Sequence, residues 1–227
     1  LGPYFQWTTD FDINSKNNIS SSLRINDFSF NSSGLTNNET SFYNDSLNLS
    51  NSYVSDFSTI TTGKNYDASI DYKRTFKKPE QEWTVSAQMT NSDRDIDYDV
   101  TRTNDIDALS DKESSTNTST NREITFQTDY THPFSKKFTL ETGAKSILRT
   151  VESSYDYSSG TYPNYVMTAD TSRNNVFNYD QNVFAGYAQG GLTLARWGFK
   201  TGARYEMTEV EGDFDKSATT FKSDYDN

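Results

Sequence analysis

Four aspartates at alternating positions, Asp93, Asp95, Asp97 and Asp99, form the densest set of potential ligands in the chain, and Asp105, Asp107 and Asp111 follow closely. Carboxylates repeated along one face of an extended segment can gather around a hard cation such as calcium. The glycine and terminal glutamate of an EF-hand loop are missing, so a solvated acidic stretch is the competing reading of the same residues. A second group, Tyr155, Tyr157, Tyr162 and Tyr165, offers aromatic faces that can stack on a sugar or an aromatic ligand, or on one another. Catalysis has less to draw on. His132 is the only histidine, beside Pro133 at an expected turn, and there is no cysteine. No nucleophilic triad, disulfide or cysteine-ligated metal can therefore be placed, and neither an enzyme nor a cofactor is expected.

The elements that carry these residues alternate apolar and polar side chains with a period of two. From Trp197 one face runs Trp197, Phe199, Thr201, Ala203, Tyr205, Met207, and the other Gly198, Lys200, Gly202, Arg204, Glu206, Thr208. Successive side chains of a strand point to opposite sides, so one face is greasy and the other polar. The stretch from Phe138 splits likewise, with only Ile147 out of place. A helix, which needs apolar residues three and four apart, fits neither window. Similar alternation around residues 5–13, 19–25, 66–72, 83–89, 124–130 and 177–187 brings the expected strands to eight. In the last of these, Phe177, Tyr179, Val183, Ala185 and Tyr187 are read as the apolar face.

Composition sharpens this. Hydrophobic residues make up 32% of the chain and aromatics 15%, whereas soluble domains are roughly 45–50% apolar. Thin apolar faces with polar loops and a wet interior explain such a deficit, and the recurrent aromatics argue against disorder throughout. No run of about 18 apolar residues exists, so no transmembrane helix is expected, but a spanning strand needs only every second residue to be apolar. A net charge of -11 excludes nucleic acid as a partner. Trp7, Trp83, Trp197, Tyr130 and Phe138 are read as an interfacial aromatic girdle near the short turns.

Turn chemistry predicts short connections near residues 14–18, 77–81, 133–137 and 190–196, where Pro, Gly, Asn and Ser break the alternation. Long polar loops are expected near 31–65, 91–121, 151–175 and 209–227. Four hairpins in an antiparallel up-and-down meander follow, with residues 1–227 as part of one domain. Short turns at one end and long loops at the other are the layout of a transmembrane outer-membrane β-barrel. In hydrocarbon every backbone polar group needs an internal partner, which a closed sheet supplies. The apolar face would then meet outer-membrane lipid, and the lumen face would carry Glu141, Lys145, Arg149, Lys200, Arg204 and Glu206. The alternative is a soluble β-rich binding or adhesion module of the cell surface, with its apolar faces packed as a sandwich.

Several strings in order resemble the barrel region of Bacteroidetes-type TonB-dependent receptors. They are Asp10-Phe11 before the Lys16-Asn17 turn, Asp71-Tyr72 with Phe76, Asp129-Tyr130 with Pro133, Glu141-Thr142-Gly143-Ala144-Lys145, Ala185-Gly186-Tyr187, and Gly202-Ala203-Arg204-Tyr205-Glu206 with Thr208. The resemblance implies a segment of a larger barrel that takes up a scarce, bulky nutrient such as a siderophore, glycan, cobalamin or peptide. It also implies a plug domain, a TonB complex and a surface lipoprotein as candidate partners of the full-length protein. The chain shows no plug, no TonB-contacting box and no signal sequence, and so reads as a piece of the wall.

Overall fold

A computed structural model describes residues 2–44, 47–104, 111–161, 164–215 and 219–226. Among them the chain forms one antiparallel sheet of ten strands and no helix. The strands are β1 (Tyr4–Asn14), β2 (Asn17–Asn44), β3 (Leu47–Thr75), β4 (Glu82–Asn104), β5 (Asp111–Pro133), β6 (Phe138–Thr161), β7 (Thr168–Ala169), β8 (Asn175–Leu194), β9 (Trp197–Phe214) and β10 (Thr219–Asp226). Each pairs with the next in sequence, except that β7 lies beside β6 and β8 continues the main path. The order runs openly from β1 to β10, an up-and-down meander rather than a closed ring.

At one end the chain reverses in tight turns. Asn14 accepts hydrogen bonds from the Lys16 amide and the Asn17 side chain, closing β1 onto β2. Ser135 accepts from the amides of Lys137 and Phe138. Glu80 and Ala195 take the left-handed backbone conformation, with φ of 65° and 52°, in the β3–β4 and β8–β9 connections. The last of these occupies only Ala195 and Arg196, because strand pairing persists through Leu194 opposite Trp197.

The opposite end departs from expectation. The tracts 31–65, 91–121 and 209–227, read as loops, lie in strand over most of their described length, and 151–161 continues β6. Their Ser, Thr, Asn and Asp side chains hide the period of two, since neither face is apolar. Backbone pairing continues regardless. Cross-strand bonds such as Thr116 to Asp97, Thr120 to Asp93 and Thr150 to Asp180 tie the faces together. Among the described residues only the β6–β8 connection keeps a long irregular stretch, interrupted by β7.

The register carries one row of side chains across eight strands. Asp10, Ser20, Asp71, Ser86, Gln127, Lys145, Ala185 and Glu206 are successive partners on one face. Their neighbours Phe11, Ile19, Tyr72, Val85, Thr128, Ala144, Gly186 and Tyr205 form the matching row on the other. This corrects the reading of β8. Val183, Ala185 and Tyr187 lie on the polar face, and Phe184, Gly186, Ala188, Gly190 and Leu192 form the apolar one. Trp7 is also misplaced by sequence, standing in mid-strand opposite Leu23, while Trp83, Tyr130, Phe138 and Trp197 adjoin the turns.

Exposure is inverted relative to a soluble protein. Phe11 is 62% exposed, Ile70 54%, Phe126 50% and Tyr205 58%, all on the apolar face. The few buried hydrophobics, Val100, Tyr157 and Val183, sit on the polar face. No sandwich partner covers the greasy side among the described residues, and a contiguous patch of that extent needs a covering medium.

Candidate functional site

The polar face changes character along the strands. Near the tight turns it is a lattice of charge and hydrogen bonds. Lys200 pairs with Glu141 at 3.1 Å, and Gln189 donates to the same carboxylate. Arg149 bridges Glu123 at 2.5 Å and Gln181 at 3.1 Å, and Arg204 pairs with Glu206 at 2.6 Å along its own strand. Tyr187 donates to Asp129 at 2.6 Å. Of the six residues assigned to this face from sequence, Glu141, Lys145, Arg149, Lys200, Arg204 and Glu206, all share it. Lys145 alone makes no hydrogen bond or ion pair with another described residue.

Further from the turns the same face becomes aromatic. Phe28 and Phe30 stack at 6.4 Å, Phe177 and Tyr179 at 6.3 Å, and Phe177 meets Phe214 at 4.6 Å. By register Phe57, Tyr98, Tyr155, Phe221 and Tyr225 point to the same side. Sequence reading picks out only Tyr155 of this collar, because Phe57, Tyr98, Phe214, Phe221 and Tyr225 lie in tracts taken for loops and Phe177 and Tyr179 are assigned there to the apolar face. Extending the period of two from Phe28 to Phe30 and from Ile96 to Tyr98 would have exposed it. Several rings lie over a glycine directly across the ladder: Phe28 over Gly63, Phe57 over Gly34, Phe221 over Gly212, and Tyr187 over Gly143. Glycine lets each ring lie flat against the wall instead of standing out from it.

One cluster fastens the β6–β8 connection to this collar. Arg102 reaches both Asp111 and Glu113 at 2.8 Å. Glu113 also accepts from the Tyr157 hydroxyl, and Arg173 lies 4.3 Å over the Tyr157 ring. The Asp170 amide donates to the Tyr157 carbonyl, and the Asn174 side chain accepts from the Tyr157 amide. The hydrogen bonds from Arg102 hold Glu113 below the ordinary glutamate value of 4.5, against the opposing effect of burial. Burial, reinforced by Glu113, pushes the Tyr157 hydroxyl up. Bonds from the Ser172 hydroxyl and amide hold the exposed Asp170 down.

A depressed carboxylate stabilises its folded contacts above its unfolded value and loses them as pH falls through the folded one. The fastening is thus complete at neutral pH, weakens below about 4.5 and is lost once Glu113 protonates. Arg102→Gln is expected to cost on the order of 1 kcal/mol locally. Hydrogen exchange at the Tyr157 and Asp170 amides should accelerate about fivefold over the parent protein at pH 7. Unchanged exchange would mean that the cluster does not hold the connection.

The tyrosines singled out from sequence separate into different roles. Tyr157 is consumed in this packing, Tyr155 stands half-buried on the collar, and Tyr165 lies against the Lys112 ammonium at 5.2 Å. Tyr162 lies outside the described residues. Asp93, Asp95, Asp97 and Asp99 project from the other face of β4, one every second residue, which spaces them by about 6.7 Å. Asp93 and Asp97 accept from threonine hydroxyls across the ladder. Among the described residues no three carboxylates or histidines converge on a point that could hold a metal. His132 takes part in a run of aromatic contacts at the turns, between Tyr130 and Phe134.

The family comparison agrees with the layout. No curated protein matches the chain. Among solved structures, similarity extends to the ferric citrate transporter FecA in its unliganded form, at 8% identity and TM-score 0.39, over 99% of this chain and 40% of that one. It extends also to the ferric yersiniabactin uptake receptor FyuA from Yersinia pestis, at 9% and 0.33, over 99% and 40%. The siderophore receptor PiuA from Acinetobacter baumannii follows at 9% and 0.34, over 98% and 44%. The chain spans about two fifths of the length of these proteins. The outer membrane protein beta-barrel family matches residues 74–227, about two thirds of the chain, from the β3–β4 turn onward. A meander whose greasy side is bare and whose polar side is cross-linked is what a barrel wall in lipid requires, so the chain belongs to this family and its place is the outer membrane of a Gram-negative bacterium.

Proposed function

We propose that residues 1–227 are one stretch of wall in a larger barrel, a TonB-dependent receptor of the Bacteroidetes type that takes up a scarce, bulky nutrient. The observation that carries this reading is the gradient on the polar face, from aromatic collar to charged lattice. Short turns mark the periplasmic end of an outer-membrane barrel, so the collar faces the medium. Rings laid flat over glycines give a broad apolar surface that can stack on a planar or sugar-bearing ligand at little conformational cost. The charged lattice beyond it suits a polar plug within the lumen, and Lys145 is left free to contact one. Capture at the collar, followed by passage once the plug is moved by the TonB complex, is the mechanism. A siderophore, a glycan, cobalamin and a peptide are the candidate cargoes, delivered directly or by a surface lipoprotein. The work proposed here is binding and passage, and no reaction is assigned.

Deleting the gene and testing uptake of those four cargo classes, with complementation by the full-length protein, tests the reading. One class should be lost and restored, and the Tyr98→Ala, Tyr155→Ala double variant should restore it poorly while reaching the membrane in normal amount. Full uptake of all four without the gene would overturn it. Recovery of the full-length protein as a soluble monomer without detergent would instead favour the soluble adhesion module.

A further inference from the structure

Two features of the apolar face remain unexplained by ligand uptake. The first is a shallow groove of about 710 Å³ crossing β4, β5, β6, β8 and β9. It is lined by the small residues Ala87, Ala144 and Gly186 and by Thr128, together with the rings of Phe126, Phe184 and Tyr205. The second is a basic, aromatic rim on the β3–β4 connection, at the turn end of the same face. Arg74 lies 5.1 Å over the Phe76 ring, and Phe76 packs edge-on against Tyr130. Lys77 and Lys78 follow in the same turn, and the Lys78 ammonium donates to the Phe134 carbonyl at 3.2 Å.

The nearby carboxylates have other neighbours, although Glu80 belongs to the same turn as Lys77 and Lys78. Glu82 is tied to Lys73 at 2.8 Å, on the polar face, and Glu80 borders the inner mouth with Lys136 and Lys137. In a chain of net charge -11 such a local excess of cations is not a compositional accident. From Trp83, at the rim, to Ala87, in the groove, is four residues of strand, or about 13 Å. A head group at the rim therefore places its chain along the groove.

We propose that the wall holds one anionic phospholipid of the periplasmic leaflet, its phosphate on Arg74, Lys77 and Lys78 and an acyl chain running past Trp83 into the groove, its end over Ala144 and Gly186 near the middle of the apolar band. The inference rests on the membrane orientation given above. Cations beside an anionic lipid surface contribute about fivefold each to binding, and aromatic rings at that depth anchor the interface. Trp83 completes the passage between rim and groove, its indole nitrogen donating to Thr128 at 2.8 Å and so holding the ring against the wall.

The test is native mass spectrometry of the full-length protein in detergent with equimolar phosphatidylglycerol and phosphatidylcholine. The parent protein should retain phosphatidylglycerol in preference by at least about tenfold. The R74Q, K77Q, K78Q triple variant should bind the two lipids alike, and the K64Q, R122Q control, altered beyond the membrane at the other end, should keep the preference. Gly186→Leu should lose retained lipid of both kinds. That substitution is sterically open, since a Cβ there meets nothing closer than the Gly143 carbonyl at 3.9 Å. Equal retention by the parent, an undiminished preference in the triple variant, undiminished lipid in Gly186→Leu, or full competition by soluble glycerol phosphate would each overturn the site. A protein that needs no detergent would remove the membrane reading itself, whereas equal retention by a detergent-dependent protein removes only this inference.

Discussion

Ala188→Arg is expected to destabilise the full-length barrel by about 2–4 kcal/mol, while Ala185→Arg, three residues away on the same strand, is expected to be tolerated. The chemistry of the two substitutions is identical, so the difference isolates the face. Ala188 lies on the apolar side, between Thr142 of β6 and Ala203 of β9, midway along the band that runs from Leu194 to Phe184. A guanidinium there has no water and no counterion. Ala185 lies between Lys145 and Glu206 on the polar side, where a new cation gains Glu206 as a partner. Urea titration of folding into lipid vesicles checks both. Equal cost in the two variants would mean that the faces of β8 are not divided between lipid and lumen.

This pair of alanines also marks where sequence reading succeeds and where it fails. The strands from Phe138 and Trp197 were legible because one face is almost purely apolar and the other almost purely polar. Strand β8 was not. Its apolar side carries Gly186, Ala188 and Gly190, too small to register, and its polar side carries Val183 and Tyr187, hydrophobic in composition but engaged in contacts on the polar face. Tyr187 is there for its hydroxyl, spent on Asp129. The same limit hid the aromatic collar. A strand standing clear of the bilayer has water on one side and a wet vestibule on the other, so hydropathy does not alternate and only the backbone ladder keeps the register. The charged residues of the polar face, by contrast, were recoverable from alternation alone, since Glu141, Lys145 and Arg149 occur at every fourth position, and so on one side, of a strand whose other face is greasy. Which carboxylate each cation meets was not recoverable, because those partners lie on neighbouring strands, as Glu123 does for Arg149.

The glycines across from rings give the second large effect. Gly143→Ala is expected to destabilise the barrel by about 2–4 kcal/mol, combining overpacking with the loss of a part-buried hydrogen bond. A Cβ at Gly143 would collide with the Tyr187 ring and the Asp129 carboxylate and would approach the Thr128 carbonyl to 2.8 Å. The carbonyl belongs to the ladder and cannot move, so Tyr187 must swing out and give up Asp129. Backbone freedom is not the reason for this glycine, since no described glycine has a positive φ; close approach is. Gly186→Ala, one strand over on the open face, then serves as the matched control and should stay within about 0.5 kcal/mol of the parent. Midpoints of heat-dependent unfolding, followed by the electrophoretic shift of the full-length protein, distinguish the two. If Gly143→Ala unfolds with the parent, the ring does not lie on the wall at that position, and the flat collar inferred from Phe28, Phe57 and Phe221 over their own glycines loses its physical basis along with it.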